Sequence, residues 1–237
     1  MSKEKTAIDS LQEKGWLLVK KRQHLLGRLQ GKGLSSYKLI VLLGPKNKIG
    51  AHYFQVFLKN KSGEIGKQPV VTGLQREGEY PSYNWVEIIN VSTSLTFAAE
   101  EQTLGDDLIK ELFQYLADLI PPGGHMMVEY ESPQQQSTAQ SLALGIPPVA
   151  TSLGYMLFSV GCGAGFRDWH FAEGGSEGPR KLQGYKVLDE EHGRLKTEEV
   201  VKEVTAFLER LTTAEVSPLE AAARRRALAI LGELNQS

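Results

Sequence analysis

The stretch LIPPGGHMMVEYES, Leu119–Ser132, joins the end of a periodic apolar segment to a Pro-Pro-Gly-Gly turn and then to an apolar run that ends in acids. Pro121 cannot continue a helix, and Gly123 and Gly124 permit a tight reversal of the chain. The stretch therefore reads as a helix end, a turn, and a buried strand with carboxylates at its tip. Upstream, Leu108, Ile109, Leu112, Phe113, Leu116 and Leu119 or Ile120 recur at spacings of three and four. That spacing predicts a helix with one apolar face, stopped at Pro121.

Working outward, YKLIVLLG (Tyr37–Gly44) is rich in branched aliphatics and closes on Gly-Pro. AHYFQVFLKN (Ala51–Asn60) follows after a short loop, so the pair predicts a hairpin. NWVEIINVS (Asn84–Ser92) is the next strand. Beyond the quoted stretch come two helical pieces, QQSTAQSLAL and PVATSLGYMLFSV, split by Gly145-Ile146-Pro147-Pro148, and then two strands, GFRDWHFAEG and RKLQGYKVL, around the turn GGSEGP. The C-terminal part is helical. In KTEEVVKEVTAFLERL, Val200, Val201, Val204, Phe207, Leu208 and Leu211 line one face, and SPLEAAARRRALAILGEL opens on Ser217-x-x-Glu220 with Pro218 at the first helical position. Such a capping box satisfies end backbone N–H groups from both side chains. The order predicts an α/β chain with a mixed sheet, antiparallel as well as parallel pairing, and added helices at both ends.

With 237 residues the chain has room for one sizeable core plus appendages. A formal net charge of −1, from 27 basic and 28 acidic residues, provides no global field for nucleic acid or anionic membrane. The partner is expected to be small, with homo-oligomerisation left open. A local basic stretch, VKKRQHLLGRLQGKG (Val19–Gly33), carries Lys20, Lys21, Arg22, Arg28 and Lys32, and short runs of this kind usually only solvate a surface. The single cysteine, Cys162, excludes an internal disulfide, and MSKEKTAIDS lacks the apolar core of a secretory signal. No apolar run approaches the ~20 residues that span a bilayer, so a cytoplasmic, soluble protein is expected.

The helix followed by PPGGHMMVEY resembles the late helix–turn–strand of S-adenosylmethionine-dependent methyltransferases. That fold also needs an early glycine-rich loop between strand and helix. The early segment LIVLLGPKNKIG has a proline where the loop should open and runs into another strand. Over residues 35–187 the order of elements resembles the GCN5-related N-acetyltransferase, or acyl-CoA N-acyltransferase, fold instead. This resemblance implies an acetyltransferase-like α/β domain over 35–187, flanked by the helical, basic segment over 1–34 and the helical extension over 188–237 that the residue pattern predicts. It also implies acetyl-CoA or another acyl-CoA as cofactor, with its pyrophosphate held by backbone N–H groups at Gln102, Thr103, Leu104, Gly105 and Asp106. Gln102 and Gly105 match the family's motif and Asp107 does not; a first-turn carboxylate repels a pyrophosphate, and Thr103 or Asp106 as a simple helix cap is the mundane alternative. The stretch GIPPVATSLGYMLFSVGCGAGFRDWHFAEGGSEGPRKLQGYK (Gly145–Lys186) is similar to a small prokaryotic domain family of unknown function, grouped with the acetyltransferase-like folds.

For transfer of an acyl group to an amine of a small molecule or peptide, the chemistry asks for a base working near neutral pH. Glu87, inside NWVEIINV with apolar neighbours on both sides, is one candidate; Glu129, which shares a strand face with Glu131, is another. Tyr155 lies on the helix where the resembling family carries an acid tyrosine, but at a different spacing from Gly165. Asp168 and His170 share a strand face as an acid–imidazole pair. Arg180 and Lys181, at the glycine-rich turn, are candidates for holding a carboxylate or phosphate. Surface pairing, core packing and hydration are the ordinary roles of each. The five histidines show no two-histidine metal spacing and one cysteine cannot form a thiolate site, so no metal is expected. A non-catalytic binding or assembly module on the same fold is the competing function, and a methyltransferase the third.

Overall fold

A computed structural model describes residues 6–20, 24–92, 94–97, 100–129, 136–162, 166–172, 181–186, 188–211 and 216–235. The chain falls into two compact units, Met1–Ile120 and Pro121–Ser237. Their boundary lies inside the Leu119–Ser132 stretch, within the span read from sequence as one α/β domain.

In the first unit, helix α1 (Ala7–Glu13) opens on a capping box in which the Thr6 hydroxyl accepts from the Asp9 N–H and the Asp9 carboxylate accepts from the Thr6 N–H. Strands β1 (Leu17–Leu18), β2 (Gly33–Leu34), β3 (Tyr37–Lys46), β4 (His52–Lys59), β5 (Val71–Arg76) and β6 (Trp85–Val91) follow. They assemble in the order β1–β3–β4–β5–β6, with β2 also on β3, and each of these pairs is antiparallel. The expected hairpin is β3–β4, in register at Val41 opposite Val56. Because side chains alternate across a strand, Leu42 and Phe57 share one face, where Ile8 and Leu11 of α1 and Trp16 cover them. The register shifts between Leu43 and Lys46. Pro45 has no N–H for the ladder, so a bulge at Gly44–Pro45 is its physical consequence.

Sequence pattern alone missed an additional hairpin of β7 (Ser94–Phe97) and β8 (Glu100–Thr103), which pair antiparallel as a sheet of their own. Helix α2 (Asp106–Leu119) then starts later than its polar lead-in suggested, with Gly105 as its N-cap. Its buried side chains are Ile109, Leu112, Phe113, Leu116, Ala117 and Leu119, so the expected stripe is buried apart from Leu108, which is half-buried.

The second unit starts at the Pro121–Gly124 turn. Gly123 has φ +81°, a conformation natural to glycine at the third position of such a turn. Strand β9 (His125–Glu129), helices α3 (Gln136–Ala143) and α4 (Ser152–Cys162), strands β10 (Phe166–Ala172) and β11 (Lys181–Lys186), and helices α5 (Glu190–Arg210) and α6 (Pro218–Leu234) complete it. The strand order is β9–β11–β10, again antiparallel, with the last strand in the middle. Met126, Val128 and Leu182 are buried on one face. Helix α3 ends in a Schellman motif: Ile146 N–H bonds Ser141 O, Gly145 N–H bonds Leu142 O, and Gly145 takes φ +69°. Thr151, fully buried, then caps α4 by accepting from the Gly154 N–H at 3.0 Å. The expected Ser217–Glu220 box starts α6.

These terminal helices are tied into the unit. Arg210 of α5 donates to the carbonyls of Leu144 and Gly145 at 2.9 and 3.2 Å, and Arg226 of α6 donates to Ala150 O at 2.7 Å. The chain is thus mixed α/β, built of mostly antiparallel open sheet flanked by helices. No helix among the described residues is long and apolar enough to cross a membrane.

Gly73 marks the tightest place in the first sheet. A Cβ there would collide with the Glu87 carbonyl oxygen and stand 2.7 Å from the Phe54 ring. Gly73→Ala should therefore lose about 1–3 kcal/mol in urea unfolding, as overpacked cores do. An unchanged midpoint would mean that β5 and β6 are farther apart than described.

Candidate functional site

Antiparallel partners point to the same side of a sheet, so the register of the second unit decides which positions share a face. Asp168 stands opposite Tyr185, and Tyr185 opposite His125. His170 stands opposite Gln183, and Gln183 opposite Met127. Ala172 stands opposite Lys181, and Lys181 opposite Glu129. One face of β9–β11–β10 consequently carries the positions of two histidines, two acids, a tyrosine, a glutamine and a lysine, while the opposite face holds Met126, Val128 and Leu182. The backbone of β10 is described, but not the side chains of Asp168 and His170.

On β9 and β11 the side chains form a connected set. The His125 and Tyr185 rings stack with centroids 5.0 Å apart and planes 27° from parallel. The Tyr185 hydroxyl donates to Gln183 Oε1 at 3.1 Å, and Gln183 Nε2 donates to the Met127 sulfur at 3.3 Å. This fixes the orientation of the carboxamide: its oxygen faces the phenol and its NH₂ faces the thioether. His125, Gln183 and Tyr185 are half-buried and Met127 is buried. An imidazole, a phenol and a carboxamide held in this way can bind a polar substrate group and pass a proton.

Of the residues selected from sequence, Glu129, Lys181, Asp168 and His170 therefore share this face. Glu129 and Lys181 are direct cross-strand neighbours, so opposite charges adjoin at the strand ends. Arg180 and Glu131 lie outside the described residues. Tyr155 belongs to α4, where its hydroxyl donates to Glu233 Oε1 of α6 at 3.3 Å. Burial, helped by the Glu233 carboxylate, raises its phenol above the ordinary tyrosine value. Glu87 is in the first unit, 3% exposed within β6 and opposite Leu74 of β5.

The residues selected for coenzyme binding are also in the first unit. Gln102 and Thr103 are strand residues of β8, opposite Leu95 and Ser94, rather than the head of a helix. Leu104 is buried, Gly105 is the N-cap, and Asp106 is the first residue of α2. Neither Thr103 nor Asp106 is the cap; the N-cap, Gly105, makes no side-chain cap bond.

His125, Tyr185 and Gln183 were missed in the sequence because each is ordinary alone. The available signal was the alternation in LQGYK, which puts Gln183 and Tyr185 on one side and Leu182 and Gly184 on the other. Among the described residues no group of three His, Cys, Asp or Glu side chains could hold a metal ion.

The raised Tyr155 phenol has a measurable consequence. Below the ordinary tyrosine value the protonated hydroxyl keeps its bond to Glu233, and any stability it confers is lost as pH rises through the shifted value. In an ultraviolet titration, Tyr155→Phe should remove a late-ionising component. Loss of a component at the ordinary value would contradict the described burial.

Comparison with known proteins adds a family and a fold. No curated protein matches the chain. A crystal structure of a protein of unknown function, AQ1966 from Aquifex aeolicus VF5, is similar with a TM-score of 0.57 and 24% identity, over 87% of this chain and 96% of that one. The two share a fold. Residues 46–211 match the profile of DUF1122, described as a protein of unknown function, and the chain belongs to that family.

Proposed function

We propose that the chain is an N-acyltransferase of acetyltransferase-like fold, taking an acyl group from acyl-CoA to an amine of a small molecule or peptide. The observation that supports it is the register of β9–β11–β10, which brings the positions of His125, Glu129, Asp168, His170, Lys181, Gln183 and Tyr185 to one face, opposite buried Met126, Val128 and Leu182. The antiparallel pair β10–β11 that closes the sheet order supports it too, since the resembling fold ends on a strand pair.

In this reading an acyl-CoA supplies an activated thioester. The amine nitrogen attacks the acyl carbon, the carbon–sulfur bond breaks, and the proton lost from nitrogen passes through the protein base to the departing sulfur. His170 is the base, its position in β10 on the same face as that of Asp168, with Glu129 and Lys181 at the strand ends to position the amine substrate. His125, Tyr185 and Gln183 hold the polar part of that substrate. Glu87 and Tyr155, enclosed in β6 and bonded to α6 respectively, are structural. For the coenzyme, the α2 start fits on one count and not on another. Gly105, the N-cap, has no side chain to compete for the first-turn N–H groups, whereas the exposed Asp107 carboxylate repels a pyrophosphate.

A second reading, a non-catalytic binding or assembly module, is favoured by one observation: Gln102 is tied into the β7–β8 hairpin instead of heading the helix. Methyl transfer from S-adenosylmethionine draws no support from the antiparallel pairing of the strands.

The test is release of free thiol from acetyl-CoA by the full chain over a panel of primary amines. The enzyme reading expects amine-dependent release that falls roughly 100-fold in kcat in His170→Ala, the size of general-base assistance. Absence of amine-dependent release, or an unchanged rate in His170→Ala, would overturn it; acetyl-CoA binding without turnover would favour the module.

A further inference from the structure

The first unit contains a cavity of about 410 Å³, apart from the residues used above. Leu17 and Leu43, cross-strand partners on one face, form its apolar wall, and Gln12, Lys20, His24 and His52 are its polar side chains. No Asp or Glu belongs to the lining among the described residues. Leu17 is 70% exposed although its strand pairs with the core strand β3. An apolar ligand body would cover it, and the volume is that of a small-molecule site.

The polar groups are held in place. His52 Nδ1 lies 2.9 Å from the Gly44 carbonyl oxygen. A carbonyl can only accept, so Nδ1 carries the proton and Nε2 of the neutral ring presents a lone pair. The bulge at Gly44–Pro45 provides that carbonyl, and the space beside it is glycine's, because a Cβ on Gly44 would stand 2.9 Å from the Trp16 indole. The His24 ring meets His52 edge to face, centroids 5.7 Å apart, and the turn after it is tied down by the Leu25 N–H donating to Glu77. The cavity thus offers an ammonium, an imidazole acceptor of fixed tautomer and an aliphatic wall.

We propose that this cavity binds a hydroxy-carboxylate with an apolar body. Lys20 pairs with the carboxylate, His52 Nε2 accepts from the ligand hydroxyl, and the body lies on Leu17 and Leu43. The inference is independent of the acyltransferase reading, which uses none of these residues.

The experiment is a calorimetric titration of the full chain with 2-hydroxy-3-phenylpropanoate, with 3-phenylpropanoate lacking the hydroxyl and with the amide lacking the charge. Imidazole resonances of His24 and His52 locate the binding. The hydroxy acid should bind saturably and roughly tenfold tighter than either analogue, one hydrogen bond or ion pair being removed in each. His52→Asn keeps a donor for the Gly44 carbonyl but has no Nε2, so it should abolish the preference for the hydroxyl and leave that for the charge. Lys20→Met, on an exposed residue, should do the reverse. Equal affinity for the three compounds, resonance changes away from His24 and His52, or unchanged preferences in both variants would overturn the proposal.

Discussion

A reciprocal pair of backbone hydrogen bonds fixes the second unit: Gly123 N–H donates to Lys186 O at 2.8 Å and Lys186 N–H donates to Gly124 O at 2.9 Å. They lock the Pro121–Gly124 turn onto the end of β11 before the strand pairing begins. With the turn anchored, His125 must oppose Tyr185 and Glu129 must oppose Lys181. A slip by one residue would exchange the faces, sending Met126 and Val128 outward and the polar positions into the core. The anchor needs Gly123 at φ +81°, where a side chain would cost about 1 kcal/mol or more.

The glycines of the turn thus have a different use from the one their sequence first suggests. Placed before an apolar strand, Gly-Gly resembles a cofactor-binding reversal. In the structure it is a register device that sets β9 against β11, a strand far downstream in sequence.

The legible parts of the fold are those whose signal is local. The α2 stripe, the β3–β4 hairpin and the Ser217–Glu220 box each depend on residues within a few positions of one another, and the structure contains all three. The β7–β8 hairpin was not legible, because EEQT has a single β-branched residue, Thr103, and no apolar alternation, while the burial that accompanies the pairing falls on Leu95 and Phe97 of β7. The terminal helices read as appendages because amphipathic spacing says that a face is buried but not against what. Arg210 and Arg226, which bond to carbonyls between α3 and α4, make them part of the unit. At the candidate site, Asp168 and His170 were visible as an i, i+2 pair. Their neighbours His125, Tyr185 and Gln183 were not, because only strand register brings them to the same face.

Membership of DUF1122 and the fold shared with AQ1966 leave the chemistry to be argued from this face. The most direct test of the account is amide hydrogen exchange on the full chain, with and without acetyl-CoA and a non-reactive analogue of an amine substrate. The account predicts slower exchange in peptides spanning residues 125–129 and 181–186, because ligand on the polar face restrains β9 and β11 together. Protection confined to other segments, or none at saturating concentrations, would contradict it.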